Sequence, residues 1–402
     1  MIYLLFHHFL QSVEEFVYHL VVALAYVLGD AAFHVARKEL LVERIQRRCD
    51  SRGLYIHVPF CVRKCPYCDF YSTAGRGDLL ENYAAAVVRN LREYPEQFDT
   101  VYFGGGTPNL IAEYMPGILQ AVSTAPGAEI SAECNPASAS PETLRIMRRA
   151  GVNRISVGVQ SLQDNELKKL GRLHNAKQAE ELIVQARQAG FDSISADVML
   201  GVPGQTADSL TDTLERLAKL PIQHISAYML TLEPATPFGK SPPADMADDD
   251  TMADLYALCQ RLCGERGFHQ YEISNFAREG FECRHNLKYW RDEEYLGIGP
   301  AAHSFYAGKR FAVLRDIGAF IAAQRQPTEI TDEQPGDYDE RVMMGLRLAE
   351  GIPEELYKPF EKALKLIPGE YYRLEGGRLS LTGKGFPVYN YIVSLLLAHK
   401  EE

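Results

Sequence analysis

The stretch Gly53–Phe70, GLYIHVPFCVRKCPYCDF, is a strand pattern that runs straight into three closely spaced cysteines. The first eight residues are apolar or aromatic with one histidine, a β-type run. Cys61, Cys65 and Cys68 follow at C-x3-C-x2-C spacing. Three thiolates so placed can hold three irons of a 4Fe–4S cube and leave the fourth iron for another ligand. A structural zinc is the alternative for clustered cysteines. Zinc sites close their shell with four ligands, usually in paired C-x2-C units, and no second pair stands nearby. Position 70, where a further sulfur might have come, is phenylalanine. Arg63 and Lys64 lie inside the loop, where their charge favours thiolates.

Downstream of this strand one rhythm repeats to Leu232. The runs TVYFGG, EISAECNP, RISVGVQS, SISADVML and HISAYML alternate with helical patterns over Asp78–Tyr94, Ala112–Ser123, Pro141–Ala150, Ala176–Ala189 and Asp208–Leu220. Such alternation predicts parallel strands joined by right-handed crossovers. Six units predict an α/β fold, a partial (β/α)6 barrel. Cys61, Gly104–Gly106, Glu133, Gln160 and Asp197 all fall at or just past predicted strand ends, the rim where barrels carry chemistry.

Past Leu232 the pattern changes. EPATPFGKSPPADMADDD is a connector, followed by a helix near Thr251–Arg266 and the segment YEISNFAREGFECRHNLKYW. From about Asp337 the order helix, helix, hairpin, helix resembles a winged helix, with Gly376-Gly377 at the hairpin turn. The expected division is 1–52, an apolar helical extension; 53–240, the partial barrel; 241–334, a barrel-completing segment; and 335–402, the winged-helix-like domain.

The 402 residues carry a net charge of −11, with 46% apolar and 24% charged residues. That acidity argues against a nucleic-acid binder, which needs a basic face. Eight cysteines are too sparse for a disulfide framework, so a reducing compartment, the cytoplasm, is expected. The N-terminal apolar run Phe16–Leu28 is about 13 residues, short of the ~20 needed to span a bilayer. A helical hairpin packed on the body is one reading of residues 1–52; an interfacial helix making peripheral membrane contact is the other.

Other residues have chemistry to offer. Glycines in GGGTP let backbone approach a ligand closely. Glu133, Gln160, Arg172 and Asp197 suit ribose hydroxyls, a carboxylate and an amine. His285 in HNLKYW stands beside Tyr289 and Trp290, and a histidine among aromatics reads by itself as a hydrogen-bonded core residue. His303 in GPAAHSF is a further imidazole past the strands, and His57 reads as core. Cys259 and Cys263, one helical turn apart, read as core.

The cysteine spacing on the first strand of a partial barrel resembles the radical S-adenosylmethionine (SAM) superfamily. There the open iron chelates SAM, and reduction of the cluster cleaves it to a 5′-deoxyadenosyl radical. YIHVPFC, CPYCDF, GGGTP, ECNP, GVQS, GRLH, DVMLGVPGQT, YEISNFA, ECRHNLKYW and GIGPAAHS together resemble the oxygen-independent coproporphyrinogen III oxidase group, and more specifically its heme chaperone (HemW) branch. The resemblance covers about Gly53 to the C-terminus. It implies SAM contacts at Tyr55, Gly105, Gly106, Thr107, Glu133, Gln160, Arg172 and Asp197, and heme ligation at His285, whose imidazole suits heme iron as an axial ligand, with His303 the second choice. The oxidase branch has a further cysteine two positions past the third, where this chain has Phe70. The resemblance therefore implies a heme carrier that hands heme to an acceptor hemoprotein, such as a membrane-bound respiratory enzyme, with a flavodoxin or ferredoxin as electron donor. The decarboxylating oxidase is the alternative.

Overall fold

The computed structural model describes residues 52–400. Both readings of the N-terminal segment, hairpin and interfacial helix, lie outside the described residues.

The rhythm of the sequence becomes six parallel strands: β1 (Gly53–Val58), β2 (Gln97–Gly105), β3 (Ser123–Cys134), β4 (Arg154–Gln160), β5 (Ser193–Leu200) and β6 (His224–Met229). Each pairs with the next in order. The helices between them are α1 (Leu80–Leu91), α2 (Met115–Gln120), α3 (Pro141–Ala150), α4 (Ala176–Gln188) and α5 (Ala207–Ala218). Three begin on a reciprocal side-chain cap: Ser140 with Thr143, Asn175 with Gln178, and Thr206 with Ser209. Each cap satisfies backbone N–H groups that the first turn leaves without partners.

The later segment adds strands to both edges of the same sheet. β7 (His269–Glu272) and β8 (Asn275–Ala277) continue antiparallel from β6. β9 (Tyr295–Ile298) lies parallel to β1 on its other side, and β10 (His303–Tyr306), β11 (Lys309–Val313) and β12 (Thr328–Asp332) extend that edge antiparallel. The result is one open sheet of twelve strands in the order β12-β11-β10-β9-β1-β2-β3-β4-β5-β6-β8-β7. Between β8 and β9 a helix, α6 (Arg284–Trp290), carries the HNLKYW motif. The C-terminal part runs helix (Tyr338–Gly345), short strand (Ile352–Pro353), two short helices, hairpin (Tyr372–Glu375 with Arg378–Leu381) and helix (Tyr389–Ala398). Gly376 and Gly377 both take positive φ at the hairpin turn, as a two-residue turn of this hand requires.

The sheet has two unlike faces. Leu54, Ile56, Val101, Phe103, Ile155, Val157, Ile194 and Val198 are fully buried beneath the helices. The intervening residues form polar rows inside the barrel. One row is Tyr55–Tyr102–Ser131–Arg154–Ser193; another is Glu133–Ser156–Ser195–His224. Parallel strands normally read as apolar on both sides, so this period-two polarity marks the inner face as a place for ligands.

Candidate functional site

The three cysteines leave the C-terminal end of β1 as the sequence suggests. All three are free and partly exposed. Among the described residues, no three His, Cys, Asp or Glu side chains converge on a point where one ion could sit. Three free thiols on one loop suit a cluster in which each sulfur meets a different iron, whatever single ion they could otherwise share. Burial pushes the Cys68 thiol up, and the neighbouring Cys65 and Cys61 add to that. Two polar groups reach toward the sulfurs: the Thr107 hydroxyl is 3.5 Å from Cys61 Sγ, and Arg172 Nη1 is 3.8 Å from Cys65 Sγ.

The glycine run closes the gap between β1 and β2. A Cβ on Gly104 would meet the Tyr55 and Tyr102 rings at 2.9 Å, and one on Gly105, whose φ is 110°, would meet the His57 ring at 2.6 Å. Gly106 donates its N–H to Val58 O at 2.8 Å, and a Cβ there would lie 2.6 Å from Phe60 O. Only glycine fits this cradle.

Beside it stand two half-buried carboxyls. Glu133 accepts from Gly105 N at 3.1 Å and from the Tyr102 hydroxyl at 3.2 Å. Burial, with the Asp197 charge adding to it, pushes Glu133 up to about 8. Asp197 accepts from Ser156 Oγ at 2.8 Å and is pushed up to about 6, by burial. Asp197 lies within β5, and its side chain shares the inner face with Ser226 of β6. Across the mouth, Arg172 donates to Gly158 O at 2.8 Å and to the Tyr67 hydroxyl at 3.5 Å, while its buried Nε has no partner. Gln160 ends β4 with φ of 66°, a strained backbone for a residue with a side chain, and its Nε2 sits close to the Arg172 guanidinium around Gly158.

A ligand with an ammonium group would relieve the two reluctant carboxyls, and one with a carboxylate would satisfy the orphaned guanidinium nitrogen. SAM carries both, so the residues present fit SAM next to a cluster on Cys61, Cys65 and Cys68. Tyr55 is nearby, although its hydroxyl bonds to His57 Nδ1 at 3.0 Å rather than opening to the mouth.

His285 is placed elsewhere. It sits at the floor of the barrel with no exposure at all. Nδ1 bonds to Thr100 Oγ1 and Nε2 to the Tyr289 hydroxyl, each at 2.8 Å. Burial, with Lys288 adding to it, pushes its pKa down to about 3. Glu129 takes the backbone N–H groups of Arg284 and His285 at 3.2 and 3.1 Å, and buried Lys288 bonds to Asp99 at 2.9 Å. Trp290 lies under the Arg347 guanidinium at 4.4 Å. In this conformation the motif anchors α6 as a plug, and its imidazole offers iron no open nitrogen. His303 is exposed at the mouth instead. Cys259 and Cys263 are buried with sulfurs 3.9 Å apart.

Sequence reasoning missed Tyr102 as the partner of Glu133, Arg154 inside the barrel and Glu129 as the anchor of α6. The first two were detectable: Tyr102 and Gly104 share one parity in TVYFGG, and Arg154, Ser156 and Gly158 share one in RISVGVQ. Glu129 gives no local signal, because its partners lie about 155 residues away.

Comparison with known proteins bears on the family and the fold. The Radical SAM superfamily profile matches residues 55–217. The heme chaperone HemW of Haemophilus influenzae is 35% identical over 77% of this chain and 85% of its own length. That of Escherichia coli is 36% identical over 75% of this chain and 84% of its own length. Among solved structures, coproporphyrinogen III oxidase (HemN) from Escherichia coli, a radical SAM enzyme, superposes with a TM-score of 0.74 at 19% identity, covering 89% of this chain and 93% of that one. The last likeness is one of fold. With identity above 30% across most of the length of curated relatives, the chain belongs to the HemW heme chaperone family of the radical SAM superfamily.

Proposed function

We propose that this protein holds a 4Fe–4S cluster on Cys61, Cys65 and Cys68, binds SAM beside it, and carries heme to an acceptor hemoprotein. One observation supports the reading above others. The three-thiol loop shares its rim with two half-buried carboxyls and an orphaned arginine nitrogen, in a chain whose curated relatives include heme chaperones. A bound cluster supplies one-electron reducing power at the open iron. The chain's own residues then have separate tasks. Gly104–Gly106 and Thr107 bring backbone and a hydroxyl up to the loop. Glu133 and Asp197 take the ammonium and hydroxyl groups of SAM, and Arg172 with Gln160 takes its carboxylate. The exposed Phe70 side chain supplies no fourth sulfur, which favours carriage over oxidative decarboxylation.

The electron donor in this reading is a flavodoxin or ferredoxin, the compartment is the cytoplasm, and the acceptor is a membrane-bound respiratory enzyme. No helix among the described residues is long and apolar enough to cross a membrane. Contact with a bilayer would rest on the apolar N-terminal segment. Liposome co-sedimentation of the full chain and of a chain lacking residues 1–50 tests it: loss of binding on truncation supports the idea, and equal partitioning removes it.

The function itself is tested by titrating hemin into anaerobically reconstituted protein, then adding an apo-hemoprotein. Saturable uptake followed by transfer is the expected result. Absence of uptake, or SAM-dependent conversion of coproporphyrinogen to protoporphyrinogen, would replace carriage with another activity.

A further inference from the structure

Reducing a cluster on the cysteine loop takes an electron from outside the chain, and the two sides of that loop differ. Glu133 and Asp197 stand on the inner face of the sheet, where the polar groups of SAM are assigned. The other side holds a cavity of about 470 Å³. Arg63 and Pro66 of the cysteine loop line it, with Lys168 of the short helix Asp164–Lys169 and with Arg172. Asn175, the cap of α4, lines it too, which sets the cavity on the helix side of the sheet. Arg172 is the partition between cavity and sulfur, because its Nη1 lies 3.8 Å from Cys65 Sγ. Electron tunnelling falls steeply with distance, so a wall one side chain thick is a short path to a centre held by Cys65.

The charge of this cavity runs against that of the chain. The whole carries −11, yet the exposed walls here are cationic. Arg63 and Lys168 are exposed, and neither joins an ion pair among the described residues. Arg63 donates to Gly171 O, and its neighbour Lys64 donates to Phe70 O at 3.1 Å, so neutral carbonyls hold both stems and leave their charge uncompensated. Lys169 differs, being paired with Asp245. Two carboxylates oppose the cations. Asp69 is exposed on the loop, and Asp164 lines the cavity with its Oδ1 accepting from Ala176 N at 2.8 Å, at the start of α4. Val62 and Leu173, next in sequence to Arg63 and Arg172, hold large apolar side chains in solvent. Apolar contacts flanked by charge of one sign suit a small, transient interface, in which the charges steer encounter.

We infer that this cavity and its cationic rim are the docking face for an acidic one-electron carrier protein, with a carboxylate of the carrier entering between Arg63 and Lys168. The assignment rests on the reading of the three thiols as cluster ligands with SAM beside them. A single electron leaves the reduced centre of the carrier, which is oxidised, and enters the cluster, which is reduced; no bond forms or breaks between the two proteins. Flavodoxin and ferredoxin have this chemistry. The carrier and SAM then approach the cysteine loop from opposite sides, so both can be bound at once.

Full-length protein, reconstituted without oxygen, tests this with an acidic flavodoxin and an acidic ferredoxin as probes. Affinity is measured by calorimetry with the oxidised carriers, and cluster reduction by stopped-flow absorption with the reduced ones. Lys168→Glu should weaken affinity and slow reduction about fivefold at low ionic strength, and the difference should shrink above about 0.3 M salt. Its iron content and its reduction by dithionite should match the wild type. Lys219→Glu, an equal change of charge just past the C-terminus of α5, should alter none of these. Wild-type affinity for both carriers in Lys168→Glu would overturn the docking face. So would an equal loss in Lys219→Glu, the mark of net charge alone, or failure of both carriers to reduce a wild-type cluster that dithionite reduces. Absence of any dithionite-reducible cluster in the reconstituted wild type would instead sink the reading of the three thiols, which separates the two failures.

Discussion

Gly106 has no space for a methyl group. A Cβ there would lie 2.6 Å from Phe60 O and 2.8 Å from Val58 O, both backbone atoms that cannot move alone. Gly106→Ala should therefore destabilise the fold by roughly 1–3 kcal/mol through overpacking. It should also displace Phe60–Cys61 and lower the iron retained after reconstitution. Urea unfolding and iron content check both effects. Glu133 makes a different prediction. Its folded pKa of about 8 lies above its ordinary value of 4.5, so the folded protein binds this proton more tightly than the unfolded chain. The penalty is absent below 4.5, grows as pH rises and is complete above about 8. In the protein without SAM, Glu133→Gln should stabilise most near pH 9, by up to a few kcal/mol, and hardly at all near pH 4. Denaturant midpoints across that range give the answer, and a pH-independent difference would contradict it.

Among the elements, α6 shows how one short helix can carry a disproportionate share of buried polarity. His285→Ala would strand the Thr100 and Tyr289 hydroxyls in the barrel floor. Two orphaned hydroxyls cost roughly 2–4 kcal/mol, measurable by chemical unfolding. A change below about 0.5 kcal/mol would mean that the floor readily readmits water. The placement of this helix was not legible in the sequence. The Tyr289 bond is an i,i+4 contact that the spacing permits, but Thr100 and Glu129 reach His285 only through the completed sheet. The central strands were legible, because β-branched runs and helix caps are local signals. The true extent of β3 was not: the helical pattern runs to Ser123, yet Ser123 and Thr124 pair with Gln97 and Phe98 of β2, and the pairing resumes at Glu129 past Pro126 and Gly127. Rim residues were found at β1 and at the ends of β2, β3 and β4, where motif and strand end coincide. Asp197 was found too, though it lies deeper in its strand than its motif suggested.

At the scale of the molecule, the cysteine loop is supported from several directions at once. Gly106 N–H and the Thr107 hydroxyl tie the end of β2 to the end of β1 and its cysteine loop, and Arg172 ties in the loop after β4. Anaerobic reconstitution should load about four irons per chain, and Cys65→Ser should lose them. Retention of four irons in that variant would require a donor outside the trio. Arg172→Ala should spare the iron and weaken SAM binding, because its guanidinium is 3.8 Å from sulfur and its Nε lacks a partner.

The position of β1 also bears on how the protein is made. Its two neighbours are β2, close behind it in the chain, and β9, which follows by roughly 240 residues. At about 5–20 residues per second, a ribosome needs on the order of 10–50 s to deliver that second neighbour. Until then the thiol-bearing strand is braced on one side only, and Gly299, whose backbone packs against His57 O, does not yet exist. A nascent chain thus exposes three oxidisable thiols to its surroundings for tens of seconds before the mouth is built.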